Sequence, residues 1–331
     1  MGRTLLNLLL RCLVKPVWRR RLSIQQLRRR AALVDRRFGA AGLREQALAE
    51  PLSDEVGALW IGPRERAGEG TILYLHGGAF CFHLPALYRA FCSDLVRRTG
   101  APVMLPDYRL APEHPAPAAL DDCELAYRYL LRTVPPWRIV LAGDSAGGNL
   151  ALALLQRCKR SALPLPAGVA LLSPLTDFSG ESWSIRYNEQ RDVMFSSHAR
   201  EFVVGHYLSR MPADDPEVSP LQGDWNGLPP LRFHVSSSEM LLDDSLRAVE
   251  RARLCAVDAQ ATVWLDLPHA FPLFGVLHEA AQCRAVIAAF VAERLAAPLK
   301  QVDANRAAPA NLTALVTSGG ECENTPVQRQ K

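Results

Sequence analysis

The sequence predicts an α/β fold, in which a mostly parallel β-sheet is covered by helices on both faces. Along most of the 331 residues, apolar runs typical of buried strands alternate with longer segments of helical periodicity. Such an alternation favours a parallel sheet with crossover helices. Hydrophobic residues make up 49% of the chain and charged residues 22%, which is the composition of a soluble domain with a substantial core. The length suits one large domain with additions.

These patterns place the individual elements along the chain. Strands are expected near residues 55–61, 71–75, 102–106, 138–142, 167–172, 231–236 and 262–267. Helices are expected near residues 86–99, 117–132, 147–158, 240–254 and 280–296.

The alternation is interrupted in ways that divide the chain into segments. We expect basic N-terminal helices over 1–50, a first core segment over 51–175, a cap insertion over 176–227, a second core segment over 228–297 and a disordered tail over 298–331. The insertion is rich in aromatic residues, which include Trp183, Tyr187, Phe195, Phe202, Tyr207 and Trp225. These side chains are expected to face a substrate, and the alternative is that they pack inward between ordinary helices.

The most informative motif is GDSAGG at residues 143–148, which follows the apolar run at 137–142 and precedes a helical segment. This context is that of a nucleophile elbow, a strained turn between a strand and a helix with an exposed serine at its tip. Glycines flank the serine because the backbone is crowded there. The helix N-terminus favours developing negative charge. We therefore interpret Ser145 as a catalytic nucleophile.

A second motif, HGGAF at residues 76–80, ends the buried strand predicted at 71–75. Consecutive glycines after a strand can turn their N–H groups towards a ligand. In acyl transfer, the N–H groups of Gly77, Gly78 and Ala146 would hold the oxyanion of the tetrahedral intermediate. The alternative for this motif alone is a simple turn capped by His76.

A base and an acid are expected further along the chain. His269 lies in a loop just past the strand predicted at 262–267, and loops at the carboxyl ends of such strands carry functional groups. Three carboxylates compete for the role of acid, and they are Glu239, Asp243 and Asp244. Glu239 is nearest to the end of its strand, whereas the aspartates fall in the first turns of a helix, where acids complement the dipole. We predict a triad of Ser145, Glu239 and His269.

Taken together, the motifs resemble those of the hormone-sensitive lipase family of α/β-hydrolase esterases. HGGAF and GDSAGG match two signatures of that family, and DYRLAPEHP at residues 107–115 matches a third segment between them. The resemblance covers about Leu73 to Phe274 and implies an α/β-hydrolase fold with an eight-stranded, mostly parallel sheet and a helical cap. It also implies Glu239 as the acid. Ala79 stands where a third glycine is frequent, and PHAF at 268–271 replaces the frequent His-Gly-Phe.

The resemblance implies hydrolysis of short- to medium-chain carboxylic esters through an acyl-enzyme, without a cofactor or a metal. The expected partner is a small-molecule ester, and nothing in the sequence indicates nucleic acid. Two alternatives stay open: removal of acyl or acetyl groups from amines by the same triad, and a non-catalytic protein that binds small ligands. The presence of His269 in a suitable loop favours an enzyme.

The N-terminus differs from the rest of the chain in its charge. Residues 1–37 carry eleven Lys and Arg against one acid, so this segment has a charge of about +10 and the remainder about −6. A helical spacing is followed by Leu5, Leu6, Leu9, Leu13 and Val17. This basic amphipathic helix is interpreted as a cap over the site, a membrane-surface helix, or a tail without a role. Its apolar run is too short to span a membrane and lacks a signal-peptide cleavage site.

The cysteines and the predicted edge of the sheet bear on location and assembly. Eight cysteines are scattered without metal-ligand spacing, and they are interpreted as reduced thiols. A cytoplasmic location is expected, with peripheral contact to a membrane through the N-terminus as an option. An edge strand near the C-terminal end of the core can pair two copies of the chain, so a homodimer is a further option.

Overall fold

An eight-stranded β-sheet forms the centre of the computed structural model, which describes residues 2–19, 22–38 and 47–297. In chain order, strands β1 to β8 are Ala47–Pro51, Gly57–Ile61, Thr71–Leu75, Val103–Asp107, Ile139–Asp144, Gly168–Leu172, Leu231–Ser236 and Ala259–Trp264. They lie side by side in the order β1-β2-β4-β3-β5-β6-β7-β8. The β1–β2 and β2–β4 pairs are antiparallel, and the other pairs are parallel.

Helices cover both faces of this sheet. In chain order, helices α1 to α9 are Arg3–Leu13, Ile24–Phe38, Pro85–Thr99, Ala118–Leu131, Ser145–Arg160, Trp183–Tyr187, Ser197–Val203, Leu242–Leu254 and His278–Ala296. Alternate residues of β3 point to opposite faces, so Leu73 and Leu75 join a buried cluster with α4, α5 and α8. Ile72 and Tyr74 join the second cluster, with α3 and α9. The predicted α/β architecture is confirmed.

The central strands were predictable because helices cover them on both sides. β3 and β6 are buried at every position, as is β5, and parallel strands in this situation read as continuous apolar runs. The two edges of the sheet differ from the prediction. β1 was missed because it is a largely exposed edge strand of Ala-Leu-Ala-Glu-Pro, residues with low β propensity. β8 begins at Ala259, three residues before the predicted start, because its first residues are not β-branched.

The segment predicted as a cap contains α6, α7, a π-helical turn at Val204–Leu208 and a 3-10 turn at Pro220–Gln222. Its aromatic residues do not share one environment. Tyr207 and Trp225 are buried in the core, whereas Trp183 and Tyr187 are exposed by 81% and 76%. Inward packing therefore describes the first pair, and solvent surrounds the second. The division of the chain into five segments remains a prediction.

The N-terminal segment begins with the predicted helix, α1, although its buried face is narrower than the leucine pattern indicates. Leu6 and Leu10 join the core cluster, while Leu5, Leu9 and Leu13 are exposed. The Nδ2 group of Asn7 donates to the Asp266 carbonyl at 3.0 Å, just past β8, and Lys15 donates to the Asp192 carbonyl at 2.7 Å. These contacts attach the segment over the carboxyl ends of the strands. Within the described ranges, every helix is too short or too polar to cross a membrane.

Candidate active site

Ser145 lies at the junction of β5 and α5, with a φ of 52°, in the left-handed region. A residue with a Cβ is strained in this conformation, so the turn must be held by its surroundings. Gly147 allows the close approach of the helix, since a Cβ there would lie 2.0 Å from the Leu75 carbonyl oxygen. In the described part of the chain, the Ser145 hydroxyl makes no hydrogen bond.

The structure brings His269 and Glu239 together although they follow different strands. The Nδ1 group of His269 donates to Glu239 Oε2 at 2.6 Å, and both side chains are buried. The other carboxylate oxygen, Oε1, accepts hydrogen bonds from the Ser236 N–H at 2.6 Å and from the Ser173 hydroxyl at 2.8 Å. These donors fix the carboxylate, which in turn fixes the imidazole ring.

The other two candidate acids lie elsewhere. Asp243 accepts a hydrogen bond from the Ser184 N–H at 2.8 Å. Asp244 accepts from the Thr176 N–H at 2.6 Å and the Ser182 hydroxyl at 2.8 Å. Burial raises the pKa of Asp244 to about 6, against these hydrogen bonds. Both aspartates thus connect the 176–184 segment to α8, and neither contacts His269.

Two opposing effects act on the pKa of His269. Burial disfavours the charged imidazolium, but the Glu239 carboxylate and its hydrogen bond outweigh burial, so the pKa is raised from its ordinary value. Because Nδ1 donates its proton to Glu239, the Nε2 atom of the neutral ring carries the lone pair. Nε2 is buried and lacks a hydrogen-bond partner among the described residues. The Nε2 atom of His269 is therefore available to accept a proton.

Asp144, next to the serine, ties the two sequence motifs together. Its carboxylate accepts hydrogen bonds from the Tyr74 hydroxyl at 2.8 Å, the Gly77 N–H at 2.9 Å and the Tyr88 hydroxyl at 3.2 Å. Burial nevertheless raises the pKa of Asp144 to about 6. The bond to Asp144 corrects one expectation, because the Gly77 N–H is already donated and does not point to a substrate.

The next two residues of that loop are different. Gly78 has a φ of 110°, and a Cβ there would lie 2.2 Å from the Phe82 carbonyl oxygen, so only glycine fits. In the ranges that the structure covers, the N–H groups of Gly78 and Ala79 donate no hydrogen bond. Ala79 lines the same cavity as Ser145 and Ala146. The sequence marks Ala79 as a departure from the frequent glycine and does not identify it as an oxyanion donor.

His76 supports the loop from behind. Its Nδ1 donates to the Gly77 carbonyl at 2.7 Å, and its ring stacks on Tyr108 at a centroid distance of 4.1 Å. Burial lowers its pKa to about 3, so the ring is neutral. His76, His83 and Asp107 each bring one donor atom within 4.8 Å of the others, a set that could hold a divalent cation. None of these three residues lines the cavity at Ser145.

The cavity at Ser145 has a volume of about 80 Å³ and mostly apolar walls. Phe178 and Phe195 line it, and the ring of Phe195 also meets that of His269 edge-on at 4.7 Å. Trp18 lines it from the N-terminal segment and donates from Nε1 to the Met194 carbonyl at 3.0 Å. The sequence analysis did not predict Trp18, because only the tertiary fold brings it to the site. The one signal in the sequence was a tryptophan within a basic amphipathic segment.

Comparisons with known proteins agree with this arrangement. A family model for the alpha/beta hydrolase fold matches residues 72–273, more than half of the chain. An esterase of Acinetobacter venetianus is 40% identical over 222 residues, which cover 66% of this chain and 73% of that protein. An acetyl-hydrolase of Streptomyces hygroscopicus is 40% identical over 200 residues, or 60% and 66% of the two chains.

Solved structures show the same likeness over a greater length. An esterase/lipase from an uncultured bacterium has a TM-score of 0.82 and 32% identity, covering 89% of this chain and 98% of its own. A hormone-sensitive lipase from a metagenome library has a TM-score of 0.83 and 32% identity, covering 89% and 99%.

Proposed function

Because the chain belongs to the hormone-sensitive lipase family of alpha/beta hydrolases, we propose that it is a serine carboxylesterase for short- to medium-chain carboxylic esters. The observation that carries the proposal is the buried Glu239–His269 pair, whose imidazole touches Phe195 in the wall of the Ser145 cavity. The relatives named as esterases support the class of substrate. The mechanism requires neither a metal nor a cofactor.

In the proposed mechanism, the Ser145 hydroxyl attacks the ester carbonyl while His269 Nε2 takes its proton. The Glu239 carboxylate stabilises the imidazolium that forms. The tetrahedral intermediate then expels the alcohol, which takes the proton from His269, and an acyl-enzyme remains on Ser145. A water molecule, deprotonated by the same imidazole, attacks the acyl-enzyme and releases the acid and free Ser145.

We assign the oxyanion of the intermediate to the N–H groups of Gly78, Ala79 and Ala146. This assignment is supported by the N–H groups of Gly78 and Ala79, which donate no hydrogen bond in the described structure. The Gly77 N–H, in contrast, donates to Asp144. Ala146 lies at the N-terminus of α5, where the helix dipole adds positive potential. Each such donor contributes about 3 kcal/mol to the transition state.

Replacement of Ser145 with alanine tests the proposal. We expect the rate of p-nitrophenyl butyrate hydrolysis to fall by at least about 10³-fold, because the covalent route is lost. Ser161→Ala is the matched control, since Ser161 is an exposed serine directly after the other end of α5. A fluorophosphonate should label the wild type and the control at one site, but not Ser145→Ala. Full activity of Ser145→Ala would exclude the proposed nucleophile.

Acetyl removal is the second candidate function, because the Streptomyces relative is named an acetyl-hydrolase. The same triad can cleave an acetyl amide, with the amine as the leaving group. A comparison of kcat/KM for an acetyl ester and the matched acetyl amide separates the two functions. A higher value for the amide would contradict the carboxylesterase proposal.

The N-terminal helix supports a proposal of contact with an anionic membrane surface. Leu5, Leu9 and Leu13 are exposed on α1, and Arg3 and Arg11 lie on the same helix. Sedimentation with phosphatidylglycerol vesicles should recover the wild type, and the Leu5→Ser/Leu9→Ser variant should stay in the supernatant. Equal sedimentation of both would exclude α1 as the contact.

Further observations support two proposals, a cytoplasmic location and a homodimer. Free thiols are found at Cys12, Cys81, Cys92, Cys123, Cys158 and Cys283, and all of these except Cys12 are buried, which supports a reducing compartment such as the cytoplasm. β8 is an edge strand with Val263 exposed by 41%, which supports pairing between two copies. Light scattering should give a dimer mass for the wild type and a monomer mass for Val263→Lys. A monomeric wild type would exclude the pairing.

A further inference from the structure

Two polar side chains interrupt the otherwise apolar wall that α7 and its N-cap residue, Ser196, contribute to the Ser145 cavity. Ser196, Ala199, Arg200 and Val203 all line the cavity. Their spacing of three and four residues places them on one face of the helix. Ala199 and Val203 suit an acyl chain, whereas the hydroxyl of Ser196 and the guanidinium of Arg200 do not.

Ser196 has a hydrogen-bonding group without a partner. Its side chain is fully buried, with 0% exposure, and its Oγ finds no hydrogen-bond partner in the described structure. A buried hydroxyl without a partner is unfavourable, because it has lost its hydrogen bonds to water. Such a group in the wall of a cavity indicates that a bound molecule supplies the missing partner.

Arg200 has a charge without a counter-ion. One of its terminal nitrogens donates to the Phe178 carbonyl, and among the described residues no carboxylate lies within salt-bridge distance. The side chain is only partly exposed. A guanidinium carries five N–H donors in a planar fork, so most of them remain available. A partly buried cation against apolar walls is unfavourable until an anion neutralises it.

We propose that Ser196 and Arg200 form a carboxylate-binding subsite, so that the preferred substrates are esters whose acyl chain ends in a carboxylate. The planar fork of arginine matches a carboxylate in two parallel hydrogen bonds, and the serine hydroxyl supplies a third donor. The apolar residues that line the same cavity as Arg200 and Ser145, Phe178 among them, then contact the methylene groups that join the two carbonyl carbons. This inference rests on the proposed esterase function.

The test compares two esters that differ only at the end of the acyl chain. Ethyl hydrogen adipate carries a terminal carboxylate where ethyl hexanoate carries a methyl group. A hydrogen bond to a charged group contributes about 1.5–3 kcal/mol, which corresponds to about 10- to 100-fold in kcat/KM. We expect the wild type to prefer the hemiester by a factor in this range.

Variants at the subsite should change that ratio. Arg200→Met should lower the ratio of hemiester to neutral ester by about 10- to 100-fold, and Arg200→Lys should retain part of the preference because the charge remains. Ser196→Ala should lower it by a smaller factor. Arg186→Met is the matched control, since Arg186 is an exposed arginine outside the cavity, and its ratio should equal that of the wild type.

Three outcomes separate the inference from the function on which it rests. A wild type that hydrolyses ethyl hexanoate but disfavours the hemiester overturns the subsite alone, as does an Arg200→Met variant with an unchanged ratio. A wild type that hydrolyses neither ester overturns the esterase proposal. In that case, adipate itself still tests the subsite, because it should raise the melting temperature of the wild type and not that of Arg200→Met.

Discussion

Replacement of Glu239 with glutamine is the sharpest test of the base, because the hydrogen bonds around this carboxylate determine how the amide must lie. Oε1 accepts from the Ser236 N–H at 2.6 Å and from the Ser173 hydroxyl at 2.8 Å. A glutamine NH₂ group in the Oε1 position would face the Ser236 N–H donor, so we expect the amide oxygen to occupy that position. The NH₂ group then occupies the position of Oε2, 2.6 Å from Nδ1 of His269.

The consequence is a change of tautomer in the imidazole. Nδ1 of His269 can no longer donate to its neighbour and must accept from the amide, so the ring proton moves to Nε2. A protonated Nε2 cannot take the proton of Ser145. The wrong tautomer in a serine triad lowers kcat by about 10⁴-fold, which corresponds to about 5 kcal/mol. We therefore expect Glu239→Gln to lose about this much in kcat while the fold is kept.

Stopped assays on p-nitrophenyl butyrate across a range of pH would measure both the loss and its cause. Asp243→Asn is the matched control, because Asp243 accepts from Ser184 and has no contact with His269. In the wild type, kcat/KM should rise with pH through an apparent pKa above the ordinary value for histidine, because Glu239 raises the pKa of His269 against burial. In Glu239→Gln, the residual kcat/KM should rise with pH through a lower apparent pKa than in the wild type. A larger loss in Asp243→Asn than in Glu239→Gln would refute the reasoning.

Two further predictions concern the elbow and the loop beside it. Gly78→Ala should lower kcat by about 10²- to 10³-fold, because a Cβ there would lie 2.2 Å from the Phe82 carbonyl oxygen and displace the proposed oxyanion donors. Gly68→Ala is the control, because nothing lies within 4 Å of a Cβ at that position. Equal activity of the two variants would contradict the assignment. Burial raises the pKa of Asp144 from 3.8 to about 6, so the folded state binds this proton more tightly and loses stability as pH rises through this range. Relative to Asp144→Asn, the wild type should lose about 3 kcal/mol of unfolding free energy between about pH 4 and pH 7, and a constant difference in urea unfolding would contradict this.

The sequence predicted the parts of the site that are determined locally. The nucleophile elbow was visible because one of its glycines is required by a contact within one βα unit: a Cβ at Gly143 would lie 2.6 Å from the Gly147 carbonyl oxygen. Glu239 and His269 were placed by their positions after two apolar strands, which the sheet brings to the same edge. The structure reports their contact at 2.6 Å, while the catalytic roles remain predictions.

The parts that the sequence did not predict depend on long-range packing. Trp18 enters the cavity wall because α1 and the turn after it attach over the strand ends, and no local pattern indicates this attachment. Of the aromatic residues in the 176–227 segment, Phe195 lines the cavity, whereas Tyr207 stacks on Phe80 in the core at a centroid distance of 3.6 Å. Periodicity alone could not separate these cases, because all of them are apolar side chains in short helices and turns.

Asp144 explains why the two glycines of the HGGAF motif have different tasks. A Cβ at Gly77 would lie 2.2 Å from the Asp144 carboxylate, so glycine is needed there for close approach to the acid. Gly78 is needed for its φ of 110° and because a Cβ there would lie 2.2 Å from the Phe82 carbonyl oxygen. The carboxylate is costly to bury, as its raised pKa indicates, yet it positions the loop against the elbow. Loss of the acid should therefore misplace the proposed oxyanion donors, because the Gly77 N–H loses its acceptor.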